Sequence, residues 1–310
     1  MLQATDVWFG YDAAAPVVRG VTLFVPTGGI VGILGPNGSG KTTLLRMLAG
    51  TRQPQRGSVT LDGAPLSRFT RTDLARLMAV VPQETQLAFD YTVAEVAMMG
   101  RYPHLGAFEI EGPADLAVIE ETLTSTGTLH LKDRLFATLS GGEKQRVVIA
   151  AALAQLFRLK AEATGVQGGA AAGVQGGTAA GVQNRATGSQ TESGSFRLQA
   201  EETGYLLLDE PTASLDLGYQ LEVASLLKRL HEERRVAIVI STHDLGLAGS
   251  LCDTLLLIRD GVVVASGPTD EVLTAANVRQ VYGVEADVIR LASGHRVVVP
   301  VRRTGAQDRG

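Results

Sequence analysis

The chain has 310 residues, a formal net charge of -4 and 45% hydrophobic residues. This near-neutral balance disfavours a protein that coats nucleic acid through a broad basic face, so we expect no nucleic-acid partner. The longest apolar runs fall far short of the roughly 18 residues that cross a bilayer, so any membrane role should come through a partner. The first residues lack a basic segment followed by an apolar one, which predicts a cytosolic chain without a secretory signal.

The N-terminal part of the chain is rich in short β-type segments. Residues 7–9, 21–25 and 59–61 carry β-branched and aromatic side chains, and turn residues such as Asp62 and Gly63 separate them. These segments predict a small antiparallel sheet.

A glycine-rich stretch, residues 35–42, fits the pattern G-x-x-x-x-G-K-[ST] between an apolar run at 30–34 and a helical pattern. Glycines let successive backbone N–H groups point at one anion, and the helix start adds partial positive charge. Lys41 would reach the β- and γ-phosphates of a nucleotide, and Thr42 would offer its hydroxyl to Mg²⁺. Kinases, GTPases, helicases and transport ATPases all share this loop. The residues expected to bind phosphates are Gly35, Pro36, Asn37, Gly38, Ser39, Gly40, Lys41, Thr42 and Thr43.

Beyond residue 83 the hydrophobic spacing becomes helical and predicts a helical subdomain over about 88–157. Residues 158–204 differ in kind, because Gly-Val-Gln recurs there with a period of eight amid Gly, Ala and Thr. Such composition has too few large apolar groups to offset its ordering entropy, so we expect a disordered surface loop. A solenoid is the alternative, but three imperfect copies are too few to bury a core.

Unbroken apolar runs return at 205–208 and 236–240, with a helical segment at 217–230 between them. Such runs are typical of parallel strands covered on both faces, and their order predicts an α/β core with ligands at the carboxyl ends of the strands. The first run ends in Asp209 and Glu210. Asp209 would hold Mg²⁺, and Glu210 would polarise the attacking water as general base.

Residues 139–146 form a second helix start flanked by glycines. Ser140 and Glu143 fit the capping box S-x-x-E, and the N-terminus of a helix attracts anions. An ordinary capped helix is the alternative interpretation.

These motifs resemble those of the ATP-binding cassette (ABC) family. Residues 139–143, Leu-Ser-Gly-Gly-Glu, resemble the family signature, Gln83 resembles the Q-loop, residues 214–216 resemble the D-loop and His243 resembles the switch histidine. Tyr11 stands where the family has the aromatic that stacks on adenine, although it could simply pack in a turn. The resemblance covers nearly the whole chain outside 158–204.

The resemblance implies an α/β fold: a P-loop NTPase core of ABC ATPase type, with an antiparallel β subdomain and a helical signature subdomain. The ATPase domain would span 1–268 and a C-terminal extension 269–310, with ATP and Mg²⁺ as cofactors. Besides the phosphate loop, the implied nucleotide-binding residues are Tyr11, Ser140, Gly141, Gly142 and Asp216. The implied metal-binding residues are Thr42, Gln83 and Asp209, and the implied catalytic residues are Lys41, Gln83, Glu210 and His243.

The resemblance also implies partners. Two copies would form a head-to-tail homodimer in which each ATP lies between the phosphate loop of one subunit and Ser140 and Gly142 of the other. Hydrolysis would let the subunits part and drive an integral-membrane permease. The ATPase would then lie at the cytoplasmic face of the inner membrane, and an extracytoplasmic substrate-binding protein would complete the complex.

Within the family, one cassette without membrane spans or heptad coiled coils favours an importer. Residues 91–93 and 99–104, with the tail at 281–284, resemble the ATPases for iron-siderophore, heme and cobalamin uptake. Residues 154–156, followed by an aromatic, resemble the heme-type members. Residues 101–104 would shape the surface that receives the permease, or form a plain solvated loop. A soluble cassette that acts on ribosomes or nucleic acid is the alternative function.

Overall fold

The computed structural model describes residues 1–12, 15–160, 197–199, 204–213, 215–292, 294 and 296–303. Its strands are β1 Leu2–Phe9, β2 Val18–Val25, β3 Ile30–Leu34, β4 Arg56–Leu61, β5 Ala64–Pro65, β6 Met78–Val81, β7 Arg158–Lys160, β8 Arg197–Gln199, β9 Tyr205–Asp209, β10 Ala237–Thr242, β11 Thr254–Arg259, β12 Val262–Pro268, β13 Val284–Arg290 and β14 Arg296–Arg303. Its α-helices are α1 Lys41–Leu48, α2 Arg71–Leu77, α3 Val93–Met98, α4 Pro113–Ser125, α5 Gly141–Leu156, α6 Leu217–Arg234, α7 Leu245–Leu251, α8 Thr269–Val272 and α9 Ala275–Tyr282.

A mixed sheet with the strand order β12-β11-β3-β10-β9-β6 forms the centre of the described structure. Neighbouring strands run parallel except for β12, which is antiparallel to β11. Every residue of β3, β9 and β10 is buried, because their aliphatic side chains are covered on both faces of the sheet. The parallel pairing of β9 with β10 confirms the predicted α/β core.

The carboxyl ends of the central strands meet at one edge of this sheet. Leu34 at the end of β3 lies opposite Thr242, and Asp209 at the end of β9 lies opposite Ser241. The segments that follow these strands therefore start side by side. This register brings the phosphate loop, the acidic pair and the segment that contains His243 to one place.

A second sheet, with the order β2-β1-β4-β5, is antiparallel, as the β-rich segments predict. Its inner face shares a hydrophobic core with α1 and with one face of the central sheet, and Leu23, Leu44 and Val239 are among its members. A larger core on the opposite face of the central sheet joins it to α3 through α7. The central sheet thus lies between two apolar layers, which rigidifies the strand ends.

The helices α3, α4 and α5 lie within the region predicted to be helical. The capping box at the start of α5 is confirmed, since Ser140 N–H donates to Glu143 Oε2 at 2.8 Å and Glu143 N–H donates to Ser140 Oγ at 3.3 Å. Thr92 and Glu95 form the same box at the start of α3. The proposed division into domains stays a prediction.

Arg101 is a buried clamp at the end of α5. Its side chain is 5% exposed, and its Nε lies 2.9 Å from Asp115 Oδ1. The same guanidinium donates to the carbonyl oxygens of Ala154 at 2.6 Å and Phe157 at 2.7 Å, groups that a helix end leaves without partners. Residues 101–104 are therefore not the plain solvated loop considered from sequence. Tyr102, 60% exposed, remains the large side chain of this segment that a partner could contact.

The C-terminal segment packs against the ATPase sheet. Helix α9 contacts β11 and β12, and the antiparallel hairpin of β13 and β14 contacts α9 and α7. Cys252, before β11, is buried as a small core residue, as predicted, and burial raises the pKa of its thiol. No helix among the described residues is long and apolar enough to cross a membrane.

The predicted disordered insertion, 158–204, lies outside the described residues except at its ends. There β7 and β8 pair antiparallel, with Lys160 opposite Arg197. Paired residues of this kind can be joined by a two-residue turn.

Replacement of residues 161–196 by Asn-Gly should close this hairpin and leave the rest of the chain folded. We expect kcat for ATP to stay within about twofold of the wild type and the melting temperature to fall by no more than about 4 °C. Steady-state ATPase assays and thermal unfolding check both. A large loss of either would show that the insertion contributes to packing or turnover.

Candidate nucleotide site

The phosphate loop joins β3 to α1 and depends on its glycines. Gly38 and Gly40 have φ of 79° and 102°, left-handed conformations that glycine adopts without steric cost. A Cβ on Gly35 would lie 2.1 Å from the carbonyl oxygen of Ile258, so a larger residue cannot fit there. The backbone is thus shaped into a tight turn directly before the N-terminus of α1.

Two buried polar groups line this turn. The Ser39 hydroxyl is buried and has no hydrogen-bond partner within the described chain. Lys41 is 5% exposed, and its ammonium donates to the carbonyl oxygens of Gly35 at 2.9 Å and Pro36 at 3.2 Å. A buried hydroxyl without a partner and a buried cation beside a helix N-terminus fit a bound phosphate, which would satisfy both.

Asp209 connects the phosphate loop to the two neighbouring strands. Its Oδ1 accepts a hydrogen bond from Thr42 Oγ1 at 3.0 Å and another from Ser241 Oγ. Asp209 is 7% exposed, so these bonds offset the cost of burying its charge. Hydroxyl and carboxylate oxygens are the ligands that Mg²⁺ prefers, so Thr42 and Asp209 fit such an ion beside bound phosphates.

Glu210 lies between two basic side chains. Its Oε1 is 3.3 Å from Lys41 Nζ, and its Oε2 is 3.1 Å from His243 Nδ1. Its φ of 47° is left-handed, which is costly for a residue with a Cβ. A hydrogen bond from its N–H to the Ser241 carbonyl, 2.9 Å, supports this conformation. His243, on one side of the carboxylate, is exposed.

Two predicted site residues lie at the margin of this cluster. The Tyr11 ring is 59% exposed, its hydroxyl is 3.5 Å from Thr43 Oγ1, and the Arg52 guanidinium is 5.9 Å from the ring centroid. The hydrogen bond with Thr43, helped by Arg46 and Arg52, lowers the pKa of Tyr11. Gln83 is exposed after β6, and in the described part of the chain no hydrogen bond joins it to the acidic pair.

The helix start at Ser140, Gly141 and Gly142 forms a separate group. A Cβ on Gly142 would lie 2.2 Å from the Tyr219 ring, and Ser140 Oγ lies 3.5 Å from the Tyr219 hydroxyl. The Ser140 N–H lowers the pKa of Glu143 and keeps that carboxylate ionised. No hydrogen bond within the described residues connects this helix start to the phosphate loop.

Asp216 caps α6 rather than contacting either group. Its Oδ1 accepts a hydrogen bond from Tyr219 N–H at 3.0 Å, and its side chain is exposed. Ser214, the first residue of the predicted D-loop, lies outside the described residues. Leu215 contacts Gly141 at the signature helix, since a Cβ there would lie 3.3 Å from a Leu215 methyl.

Sequence reasoning missed two residues that shape these groups. Ser241 binds Asp209 and the backbone of Glu210, and its only signal is its position two residues before His243. Tyr219 packs on Gly142 from 77 residues further along the chain, and no local pattern indicates that contact. The roles assigned from sequence to the individual site residues stay predictions.

Known proteins resemble this chain over much of its length. The family model described as ABC transporter matches residues 18–159. The hemin import ATP-binding protein HmuV of Bordetella pertussis is 36% identical over 288 residues, which cover 93% of this chain and 94% of HmuV. The ferric enterobactin transport ATP-binding protein FepC of Escherichia coli is 31% identical over 304 residues, 98% of this chain and 95% of FepC.

Solved structures share the fold. A protein described as a metal-chelate type ABC transporter, in an inward-facing conformation, superposes with a TM-score of 0.72 at 24% identity over 97% of this chain and 96% of its own. A dimeric bacterial ABC transporter cassette superposes with a TM-score of 0.64 at 23% identity over 87% and 99%. With the identity to HmuV and FepC over nearly the full length, the chain belongs to the ABC transporter family and is an ATPase that binds and hydrolyses ATP.

Proposed function

We propose that this chain powers an importer of an iron complex, with heme as the first candidate and a ferric siderophore as the second. The observation that carries the proposal is one cluster, Lys41, Asp209, Glu210 and His243, in a chain similar to HmuV and FepC over nearly its whole length. These relatives are named for hemin import and ferric enterobactin transport. The reading of the sequence as a cobalamin importer stays a prediction.

The residues of this cluster would have separate roles in hydrolysis. The phosphate loop and Lys41 would hold the phosphates, and Thr42, Asp209 and Gln83 would hold Mg²⁺, whose charge stabilises the phosphoryl group during transfer. A phosphate on Lys41 would compete with its 3.3 Å ion pair to Glu210. Glu210 would then be free to accept a proton from the attacking water, with His243 beside it to position that carboxylate.

The separation of the two groups of site residues supports a dimer. Within one chain, Ser140 and Gly142 contact Tyr219 and form no hydrogen bond with the phosphate loop in the described residues. The N-terminus of α5 could still bind an anion supplied by another copy. We therefore infer that a second subunit brings this helix start and its D-loop, which includes Asp216, to the bound ATP. The Tyr11 ring of the subunit that supplies the phosphate loop would lie against the adenine.

An open groove supports a permease partner. It has a volume of about 410 Å³ and lies between the segment that follows Gln83 and the start of α5. Phe89, 74% exposed, lines one side, and Phe136 with Lys144 lines the other. A permease helix seated there would contact both the Gln83 segment and the signature helix, so substrate transport and ATP hydrolysis could be coupled. The subunit would then lie at the cytoplasmic membrane face, opposite an extracytoplasmic substrate-binding protein.

Gln155, in the segment 154–156 that resembles heme-type members, has a structural role. Gln155 donates to the carbonyl oxygens of Ala75 at 2.7 Å and Met78 at 2.9 Å, so it joins the end of α5 to α2 and β6. The choice of heme as first candidate therefore rests on the identity to HmuV and not on this residue.

Reconstitution tests the proposed substrate. We expect the full chain, combined with its permease and substrate-binding protein in proteoliposomes, to support ATP-dependent uptake of hemin or a ferric siderophore. Uptake of hemin and ferric enterobactin is measured as iron retained in the vesicles, and uptake of cobalamin, the parallel substrate, as retained cobalt. ATP-coupled uptake of neither iron complex would contradict the proposal. Co-purification with ribosomes or DNA instead of membranes would favour the alternative soluble cassette.

Glu210→Gln tests the general base. The amide keeps the shape of the side chain but cannot take a proton, so we expect kcat to fall by a factor of about 10² or more with ATP binding retained. ATP should then hold two subunits together, and size-exclusion chromatography would show an ATP-dependent dimer. Glu233→Gln, an exposed glutamate on α6, is the matched control. Undiminished hydrolysis would rule out Glu210 as the base.

Gly142→Ala tests the close packing of the signature helix. The new methyl would overlap the Tyr219 ring and displace the helix start, so we expect kcat to fall about tenfold or more while one chain still binds ATP. Tyr219→Ala in the same chain should restore part of kcat, because it removes the overlap. If the double variant were no more active than Gly142→Ala, the methyl would act on the nucleotide and not on Tyr219.

A further inference from the structure

Tyr282, the last residue of α9, places a polar group where packing alone does not need one. Its ring packs against the larger hydrophobic core. Its hydroxyl is buried and has no partner with normal hydrogen-bond geometry among the described residues. Because buried tyrosine hydroxyls usually find a partner, this group points to a role beyond filling space.

The hydroxyl lies beside the start of the phosphate loop. It is next to the backbone of Gly35, the first residue of the phosphate loop. Burial raises the pKa of Tyr282, and the carboxylates of Glu210 and Asp244 raise it further, whereas the Gly35 backbone acts in the opposite direction. The phenol therefore stays protonated and can donate a hydrogen bond as well as accept one.

The C-terminal segment is anchored so that Tyr282 cannot easily move away. Arg259, at the end of β11, donates to the carbonyl oxygen of Gln280. Strand β11 pairs directly with β3, which runs into the phosphate loop. Gly283, with a left-handed φ of 66°, ends α9 directly after the tyrosine. These contacts fix the hydroxyl at the edge of the sheet where the site lies.

We propose that Tyr282 is a positioning residue for ATP hydrolysis, through which the C-terminal segment sets the geometry of the phosphate loop and the catalytic carboxylate. In the proposed arrangement its hydroxyl accepts a hydrogen bond from the Gly35 N–H and donates to Glu210 or Asp244 through one water. It thus links the loops that follow β3, β9 and β10. The C-terminal segment is then a part of the catalytic unit and not only a covering of the sheet.

Tyr282→Phe tests this role, since it removes the hydroxyl and keeps the ring. We expect kcat of the full chain to fall about tenfold, with KM and the Kd of a fluorescent ATP analogue within about twofold of the wild type. Tyr205→Phe is the matched control. Tyr205 is 2% exposed, but it lies at the amino end of β9, away from the site. This control should leave kcat unchanged.

Two further outcomes decide against the proposal. If kcat of Tyr282→Phe stayed within about twofold of the wild type, the hydroxyl would have no part in turnover. If kcat fell together with ATP affinity and the melting temperature, the tyrosine would act through packing alone. Tyr282→Leu, which also removes the ring, shows how large that packing effect is.

Discussion

The burial of one carboxylate, Asp209, organises this site. An ionised group in a nearly closed position is stable only when its oxygens are bonded, and here Thr42 and Ser241 donate to the same oxygen. Thr42 belongs to α1, Ser241 to β10 and Asp209 to β9. These bonds therefore fix the positions of three neighbouring elements relative to one another at the carboxyl edge of the sheet. Glu210 follows directly, and its left-handed backbone depends on the same serine. Removal of any of these partners would disturb both the phosphate loop and the base.

The second half of the site depends on close packing rather than on charge. Tyr219 lies so near Gly142 that the start of α5 tolerates no side chain there, and Asp216 fixes the turn of α6 from which Tyr219 projects. Arg146 on α5 pairs with Glu222 on α6, one turn further along. Movement of α6 would therefore carry the signature helix with it. Since β9 leads into α6 through the D-loop segment, α6 connects the acidic pair to the signature helix.

The motifs whose functional residues are close together in the sequence could be predicted from it. A glycine loop between a strand and a helix, an acidic pair after an apolar run and a capping box are each written within a few residues, and the parallel core and the cap are found as expected. Contacts between distant segments were not predictable. Arg101 reads as a surface residue, yet it satisfies the carbonyl groups that α5 leaves free, 53 and 56 residues away. Tyr282 is predicted from sequence as an aromatic residue at a helix end, yet its hydroxyl lies beside the Gly35 backbone.

The sequence by itself determined the family, the α/β class and the identity of the groups that can bind phosphate, because those depend on backbone conformation and local residue order. The tertiary structure alone decided which groups meet. It placed Lys41 against Glu210, bonded Ser241 to Asp209 and packed the start of the signature helix on Tyr219. Strand register and helix packing set such distances, and both arise from burial summed over the whole core, which no short stretch of sequence encodes.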